Sequence, residues 1–299
     1  MERFSQLELG LLEVRQERLK YHAPTLLAVR PTGTATVRVT SEACPQDCAH
    51  CGGHYLKAMK PLLEVAQRES SPWKSLLISG ACDGAGVVPI LPHLATIKTL
   101  RKKYKLNLHP GYVQSLEAAQ QLAEVASVFS CDFVGDESTL RKIYGLNYSV
   151  AEALDSLLLL SRFRRVVPHL CLGLSEEPGL SSELNAVKLL EKAGFRELVV
   201  LIFIPTKGTR LADRQPPQPS EVAEFFATLG RDYPQLRVTL GCMRPAGRYR
   251  QEVDRYAVLA GVNAIVQPTP GALQLAEYLG MLQEDFWQCC VLYGDGDAD

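Results

Sequence analysis

The feature that most constrains this chain is a repeat: from Thr34 onward a short apolar, β-branched run, a loop and an amphipathic helical stretch follow one another eight times. The runs fall near residues 34–40, 74–80, 105–110, 128–134, 166–172, 197–204, 236–241 and 263–267. Helical periodicity lies between them, for instance over Leu91 to Tyr104, Ser115 to Ala126, Val150 to Phe163, Ser181 to Ala193, Ser220 to Leu229 and Arg248 to Ala260. A crossover helix returns the chain to the same end of the sheet, so strands joined this way run parallel. The expectation is an α/β fold, a (β/α)8 TIM-type barrel spanning residues 34–280. An N-terminal helical extension (1–33) with Leu7, Leu9, Leu11, Leu12 and Val14 spaced among charges precedes it, and a short cysteine-containing C-terminal tail (281–299) follows.

In a barrel of this kind the chemistry gathers where strands end, so the loops at their carboxyl ends are the places to search. The loop after the first run is Ser41 to Gly53, with Cys44, Cys48 and Cys51 at C-x3-C-x2-C spacing. Three thiolates on one short loop suit three irons of a [4Fe–4S] cluster and leave the fourth iron open to a substrate. A structural zinc site would prefer paired C-x2-C knuckles and would need a fourth ligand such as His50 or His54. A disulfide, or three unrelated buried thiols, would need no such spacing. After the second run comes Gly80-Ala81-Cys82-Asp83-Gly84-Ala85-Gly86, whose small residues let backbone approach a ligand. The third ends in His109-Pro110-Gly111, the fourth runs from Asp132 to Asp136, and the fifth holds His169. Asp136 is open to two readings, a carboxylate accepting two ligand hydroxyls or a helix cap ahead of Ser138 and Thr139.

Composition narrows the class. With 299 residues, 46% hydrophobic and 22% charged, the chain can bury a large core. A net charge of −1, with no basic stripe and no run of Lys or Arg, argues against nucleic acid and against an anionic membrane surface. No stretch approaches the ~18 apolar residues of a membrane span, and Met1-Glu2-Arg3-Phe4 leads into charged sequence, so a cytoplasmic protein is expected. Nine cysteines, an odd number, fit metal ligation in a reducing compartment better than a disulfide framework. The acidic Gly294 to Asp299 end reads as a disordered tail.

The cysteine loop resembles the cluster motif of the radical S-adenosylmethionine (SAM) superfamily, with His50 where an aromatic residue usually precedes the third cysteine. The order Phe203 to Thr209, Leu211-Ala212-Asp213, the proline-rich turn 216–219, Leu240 to Pro245 and Leu259 to Ile265 is similar to biotin synthase and its relatives over about residues 34–268. Cys48 to Gly53, Ser79 to Asp83, Gly241 to Pro245 and Cys289-Cys290-Val291-Leu292 look like the split, two-protein lipoyl synthases. The resemblance implies a [4Fe–4S] cluster on Cys44, Cys48 and Cys51, and SAM held by backbone at Gly80 and Ala81 with Asp83, Asp136, His109 and His169 as further contacts. It implies an auxiliary iron–sulfur cluster with Cys242, Cys289 and Cys290 as candidate ligands, Cys242 standing beside Arg244 where such barrels can place an arginine ligand. The implied reaction inserts sulfur into an octanoyl chain on a carrier-protein lysine. A second radical SAM protein and an electron donor such as ferredoxin or flavodoxin are the implied partners. Other radical SAM chemistry of this branch (methyltransferase, mutase or cofactor maturase) and a non-catalytic metal-binding scaffold are the alternatives.

Overall fold

A computed structural model describes residues 4–294 of the chain; the acidic end beyond 294 and the first three residues lie outside that range. Strands run over Thr25–Val29 (β1), Thr34–Arg38 (β2), Lys60–Pro61 (β3), Ser75–Ser79 (β4), Lys105–Leu108 (β5), Val128–Asp132 (β6), Val166–Leu172 (β7), Glu197–Ile202 (β8), Arg237–Leu240 (β9), Ala264–Val266 (β10) and Leu282–Phe286 (β11). The α-helices are Gln6–Arg18 (α1), Leu62–Ala66 (α2), Leu94–Arg101 (α3), Leu116–Ala123 (α4), Glu137–Lys142 (α5), Val150–Ser161 (α6), Ser181–Lys192 (α7), Pro219–Asp232 (α8), Arg248–Leu259 (α9) and Pro270–Tyr278 (α10). All eight expected runs form strands. Three more, β1, β3 and β11, bring the number among the described residues to eleven, in place of the eight of a (β/α)8 barrel.

The chain divides into two compact units. One comprises residues 4–30, 170–204 and 215–286 and orders its strands β11-β1-β10-β9-β8, every pairing parallel. β1 is buried over Leu26 to Val29, an apolar run bracketed by Pro24 and Pro31 that only a single 3-10 turn, Pro31–Gly33, and no α-helix separates from β2. That missing helix is why the repeat does not reveal it. β11 reads Leu-Gln-Glu-Asp-Phe and is largely exposed, so hydrophobic periodicity carries no sign of it; the register with β1, Thr25 opposite Leu282 through Val29 opposite Phe286, makes it a strand. The segments 1–33 and 281–299 thus contribute strands as well as a helix and a tail.

α1 was expected outside the main body, yet it packs on α8 and α9 within this unit. Its start is fixed by a capping box, Glu8 N donating to Ser5 Oγ and Ser5 N to Glu8 Oε2. Leu11 is fully buried, worth about 1.5–3 kcal/mol. Arg18, 2% exposed, donates to the carbonyls of Gly261 and Leu236 and to Asn263 Oδ1. Burial of the guanidinium is offset by the oxygens that Nε and Nη2 meet, while Nη1 has no hydrogen-bond partner.

The other unit comprises residues 31–169, 205–214 and 287–294 and orders its strands β3-β2-β4-β5-β6-β7, again all parallel. Leu76, Ile78, Leu106, Leu108 and Phe129 are fully buried, the mark of parallel strands covered on both faces. Parallel pairing puts the carboxyl ends of β2, β4, β5 and β6 side by side, so the loops that follow them share one edge of this sheet. Among the described residues no helix is long and apolar enough to cross a membrane.

Candidate functional site

The cysteine loop leaves the carboxyl end of β2 and is wound into tight turns, Asp47 N donating to Cys44 O, and Cys51 N and Gly52 N to Cys48 O. Asp47 takes φ 43°, a left-handed conformation that Asp tolerates better than most residues. Gly53 takes φ 71°, and a Cβ there would lie 3.2 Å from Cys44 Cβ and 3.3 Å from Glu42 O, so the turn that folds the loop back beside Cys44 excludes a side chain. The winding brings Cys44, Cys48 and Cys51 onto one short segment, all free and half-buried.

Neighbours hold the loop from two sides. The turn after α5 supplies carbonyls: Ala49 N donates to Ile143 O at 2.7 Å and Gln46 Nε2 to Tyr144 O at 2.5 Å, while the His50 and Tyr144 rings lie 4.9 Å apart. The segment 205–214 supplies the rest. Leu211 N donates to Ala49 O, Arg210 Nη2 to Asp47 O at 2.6 Å, and Tyr55 Oη shares a hydrogen bond with Thr206 Oγ1. Arg210 and Leu211, directly after the Pro205-Thr206-Lys207-Gly208-Thr209 motif, thus brace the cysteine loop, and Thr206 meets Tyr55 just beyond it.

The second loop is pinned to the root of the first: Ala81 N donates to Thr40 Oγ1 at 2.7 Å, and a Cβ on Gly80 would come within 3.0 Å of the same oxygen. Cys82 follows directly. Burial pushes its thiol up to about 12, with Cys44 the foremost of the nearby charges and Asp132, Asp83 and Cys51 behind it. Cys48 is likewise raised by burial and then by Cys51, Cys82 and Cys44. Four thiols, Cys44, Cys48, Cys51 and Cys82, are therefore neighbours, and burial raises Cys48, Cys51 and Cys82 toward the neutral form. A nucleophilic cysteine needs surroundings that lower its pKa. A bound metal deprotonates a coordinating thiol by its own charge, so the donors fit an iron–sulfur cluster. Among the described residues, no three His, Cys, Asp or Glu side chains stand in an arrangement for a single metal ion.

The remaining expected contacts separate. Asp83 turns to its own loop, Oδ1 accepting from Ala85 N and Val87 N. Asp136 caps α5, accepting from Thr139 N at 2.7 Å. His109 and His169 do meet, their rings 6.3 Å apart and nearly perpendicular, but around a carboxylate that sequence reasoning passed over, Asp132 at the end of β6. His109 Nε2 lies 3.6 Å from Asp132 Oδ1, and Asp132 pairs in register with His169. Burial opposes the Asp132 charge, yet His109, then His169 and His50, hold its carboxyl down to about 2. Burial would lower His109, but Asp132 raises it; His169 is lowered to about 4 by burial, with His109 adding to it, against Asp132 and the Val167 carbonyl that its Nδ1 meets at 3.1 Å. The signal in the sequence was a single acidic residue closing the apolar run Val128 to Cys131.

Of the candidate auxiliary ligands, Cys242 is exposed after β9 in the first unit, where Arg244 is fully buried against Asp254 at 2.7 Å rather than free as a ligand. Cys289 and Cys290 lie in the second unit, in a turn packed on β5 and β6. Cys289 N donates to Thr34 Oγ1, placing the turn at the amino end of β2, while Arg165, just before β7, donates to the carbonyls of Val291 and Tyr293. Asn107 Nδ2, itself fixed by Ser130 Oγ on Oδ1, reaches Cys289 Sγ at 3.5 Å. The thiol hydrogen bond from Cys290, with Val291 N and Asn107 adding to it against burial, draws Cys289 down to about 7.

No family model matches the chain, and no curated protein does. Solved structures share its fold. Methylornithine synthase (PylB) superposes with a TM-score of 0.64 at 12% identity over 95% of this chain and 91% of that one. The FeFe-hydrogenase maturase HydG from Carboxydothermus hydrogenoformans gives 0.65 at 12% identity over 95% and 73%.

Proposed function

We propose that this chain is a radical SAM enzyme of the biotin-synthase-like branch that inserts sulfur into an octanoyl chain carried on a protein lysine, acting as one component of a split lipoyl synthase. The observation that carries the radical SAM reading is the cysteine loop: three free thiols at C-x3-C-x2-C spacing, fixed by tight turns at the carboxyl end of β2. The shared fold of methylornithine synthase and HydG agrees with it. The sulfur-inserting reading is supported by the motifs around Cys48, Ser79, Cys242 and Cys289, and by six cysteines beyond the cluster loop.

Cys44, Cys48 and Cys51 would hold the [4Fe–4S] cluster, and backbone at Gly80 and Ala81 would meet SAM. Bound together, cluster and SAM supply a one-electron cleavage of the sulfonium and a 5′-deoxyadenosyl radical strong enough to take hydrogen from an unactivated carbon. The protein fixes geometry: Ile143, Tyr144, Leu211 and Arg210 hold the cysteine loop, and Thr40 ties the Gly80 loop to it. Such bracing keeps reacting groups in place and water out. Cys242, Cys289 and Cys290 remain candidates for holding a sulfur source, with Cys289 met by Asn107 Nδ2 at 3.5 Å. A second radical SAM protein, a ferredoxin or flavodoxin, and a cytoplasmic setting belong to the same reading.

A second reading, radical rearrangement or maturation of a small polar molecule, is favoured by the His109, Asp132 and His169 wall, which a purely hydrocarbon substrate would leave unmatched. Anaerobic reconstitution with iron and sulfide, reduction, and addition of SAM and an octanoyl-lysine peptide tests both. Deoxyadenosine with sulfur on the peptide supports the lipoyl reading; deoxyadenosine without it keeps the radical chemistry and points to a missing partner protein or to a different substrate, as in the second reading. No deoxyadenosine under any reductant sinks the enzymatic reading and leaves a metal-binding scaffold.

A further inference from the structure

The cysteine loop takes its shape in part from a residue that is neither a thiol ligand nor near it in the chain. Asp47, directly before Cys48, stands at φ 43° where the turn from Cys44 closes, its N donating to Cys44 O at 3.3 Å. A left-handed residue other than glycine is strained and persists only where its surroundings hold it. Arg210 supplies that hold. Its side chain is exposed, yet Nη2 donates to Asp47 O at 2.6 Å, a charge-assisted bond. The next residue adds a second tie, Leu211 N donating to Ala49 O at 3.1 Å.

The Arg210 bond fixes another group with it. No cis peptide occurs among the described residues, so the Asp47–Cys48 N–H points away from the carbonyl that Arg210 takes. Asp47 N, Ala49 N, Cys51 N and Gly52 N each donate to a backbone carbonyl, whereas Cys48 N meets no acceptor among the described residues. A turn followed by a left-handed residue lines up backbone N–H groups into a concavity that suits anions and iron–sulfur clusters. The unspent donor thus belongs to a residue that carries one of the three thiols.

We propose that Arg210 is a positioning residue for the [4Fe–4S] cluster: by fixing the Asp47–Cys48 peptide it presents Cys48 N–H to cluster sulfur and makes the cluster easier to reduce. Hydrogen bonds to cluster sulfur stabilise the more negative, reduced form. The inference rests on the radical SAM reading above and deepens it, because SAM cleavage needs that electron. It gives the segment 205–214 a role in the chemistry as well as in the fold of the loop.

The test is an anaerobic redox titration of the reconstituted holoenzyme, the reduced cluster followed by electron paramagnetic resonance beside iron and sulfide content. Arg210→Met should keep its iron and make the cluster about tenfold harder to reduce, a fall of about 59 mV for a one-electron couple. Arg210→Lys, which keeps a charged donor, should recover most of that fall. The shift should persist at about 1 M salt, where the Debye length is about 3 Å and a bare surface charge is screened. An unchanged potential in Arg210→Met at full iron overturns the inference, and so does a shift that vanishes at high salt, which would assign it to charge alone. Should Arg210→Met lose its iron, pulsed resonance on wild type labelled with 15N-cysteine decides. A cysteine-amide nitrogen coupling to the reduced cluster supports the inference, and its absence overturns it. Wild type that loads no [4Fe–4S] cluster removes the radical SAM reading itself, an outcome distinct from all of these.

Discussion

Arg244 and Asp254 offer the sharpest separation of structural from metal-binding roles. Both side chains are fully buried, with Nε 2.7 Å from Oδ1. Arg244 also donates to Gly241 O at 2.5 Å and to Val266 O at 2.9 Å, and Asp254 Oδ2 accepts from Thr269 N at 2.9 Å. The pair ties the end of β9 to α9, to the end of β10 and to the start of α10. Removing one partner of such a pair leaves an uncompensated buried charge, at a cost of about 3–5 kcal/mol. For 299 residues the unfolding entropy is about 0.6 kcal/mol/K, at roughly 2.1 cal/mol/K per residue, so Asp254→Asn should lower Tm by about 5–8 °C. The Arg244→Met, Asp254→Leu double variant should lose less than the sum of the two single ones, since a hydrophobic replacement removes both charges together. Thermal unfolding under anaerobic conditions, followed beside iron content, reads both quantities. If Asp254→Asn and Arg244→Met left Tm within 2 °C or so while iron was lost, the ion pair would not be structural, and Arg244 would have to be a cluster ligand.

Three further outcomes are expected. Replacing Cys44, Cys48 or Cys51 singly by Ala should abolish retention of the about four irons of a [4Fe–4S] cluster, measured by iron and sulfide analysis and by the cluster's visible absorption; full iron in all three variants refutes the assignment. The apo chain should lose stability as pH falls from about 6.5 to about 4. His169, at about 4 when folded, then binds its proton only in the unfolded state, and the effect reaches at most about 3 kcal/mol. Asp132, held at about 2, adds a second loss as pH falls from about 3.9 toward 2, when the unfolded carboxyl takes up a proton first. Denaturant midpoints across this range check both, and His169→Asn should flatten the upper limb. Gly111 sits at φ 75° in a bridge with Val87, and a Cβ there would come within 2.0 Å of Gly86 O, so Gly111→Ala should destabilise by at least about 2 kcal/mol in urea unfolding.

The eight strands from β2 to β10, leaving β3 aside, were legible because a parallel strand covered on both faces is a continuous apolar run, and the helices because they are amphipathic. The same rule could not show β11, whose Gln283, Glu284 and Asp285 are a strand only through pairing with β1. Nor could it show β3, two residues long and defined by Val37 and Arg38 across from it.

At the site, the cysteine loop was legible for a related reason. Its chemistry is local, since three ligands within eight residues need no distant partner to be recognised. Asp136 carried both a ligand role and a local one and Asp83 a ligand role, and in the structure Oδ1 of each accepts from backbone N–H groups. Asp132 was obscured because a carboxylate's role depends on what stands across the sheet from it. His109 is 23 residues before it and His169 is 37 after, and only parallel pairing of β5, β6 and β7 makes them neighbours.

By itself, then, the sequence determined what depends on periodicity and short spacing: an α/β chain of alternating strands and helices with a thiol loop after β2. What required the tertiary structure was everything set by residues far apart in the chain. That includes the pairing of β1 with β11, the burial of Arg244 on Asp254, the turn that brings Cys289 to Asn107, and the polar wall of His109, Asp132 and His169. Local sequence encodes torsions and amphipathic faces; contacts between distant segments exist only once the sheet has set their register.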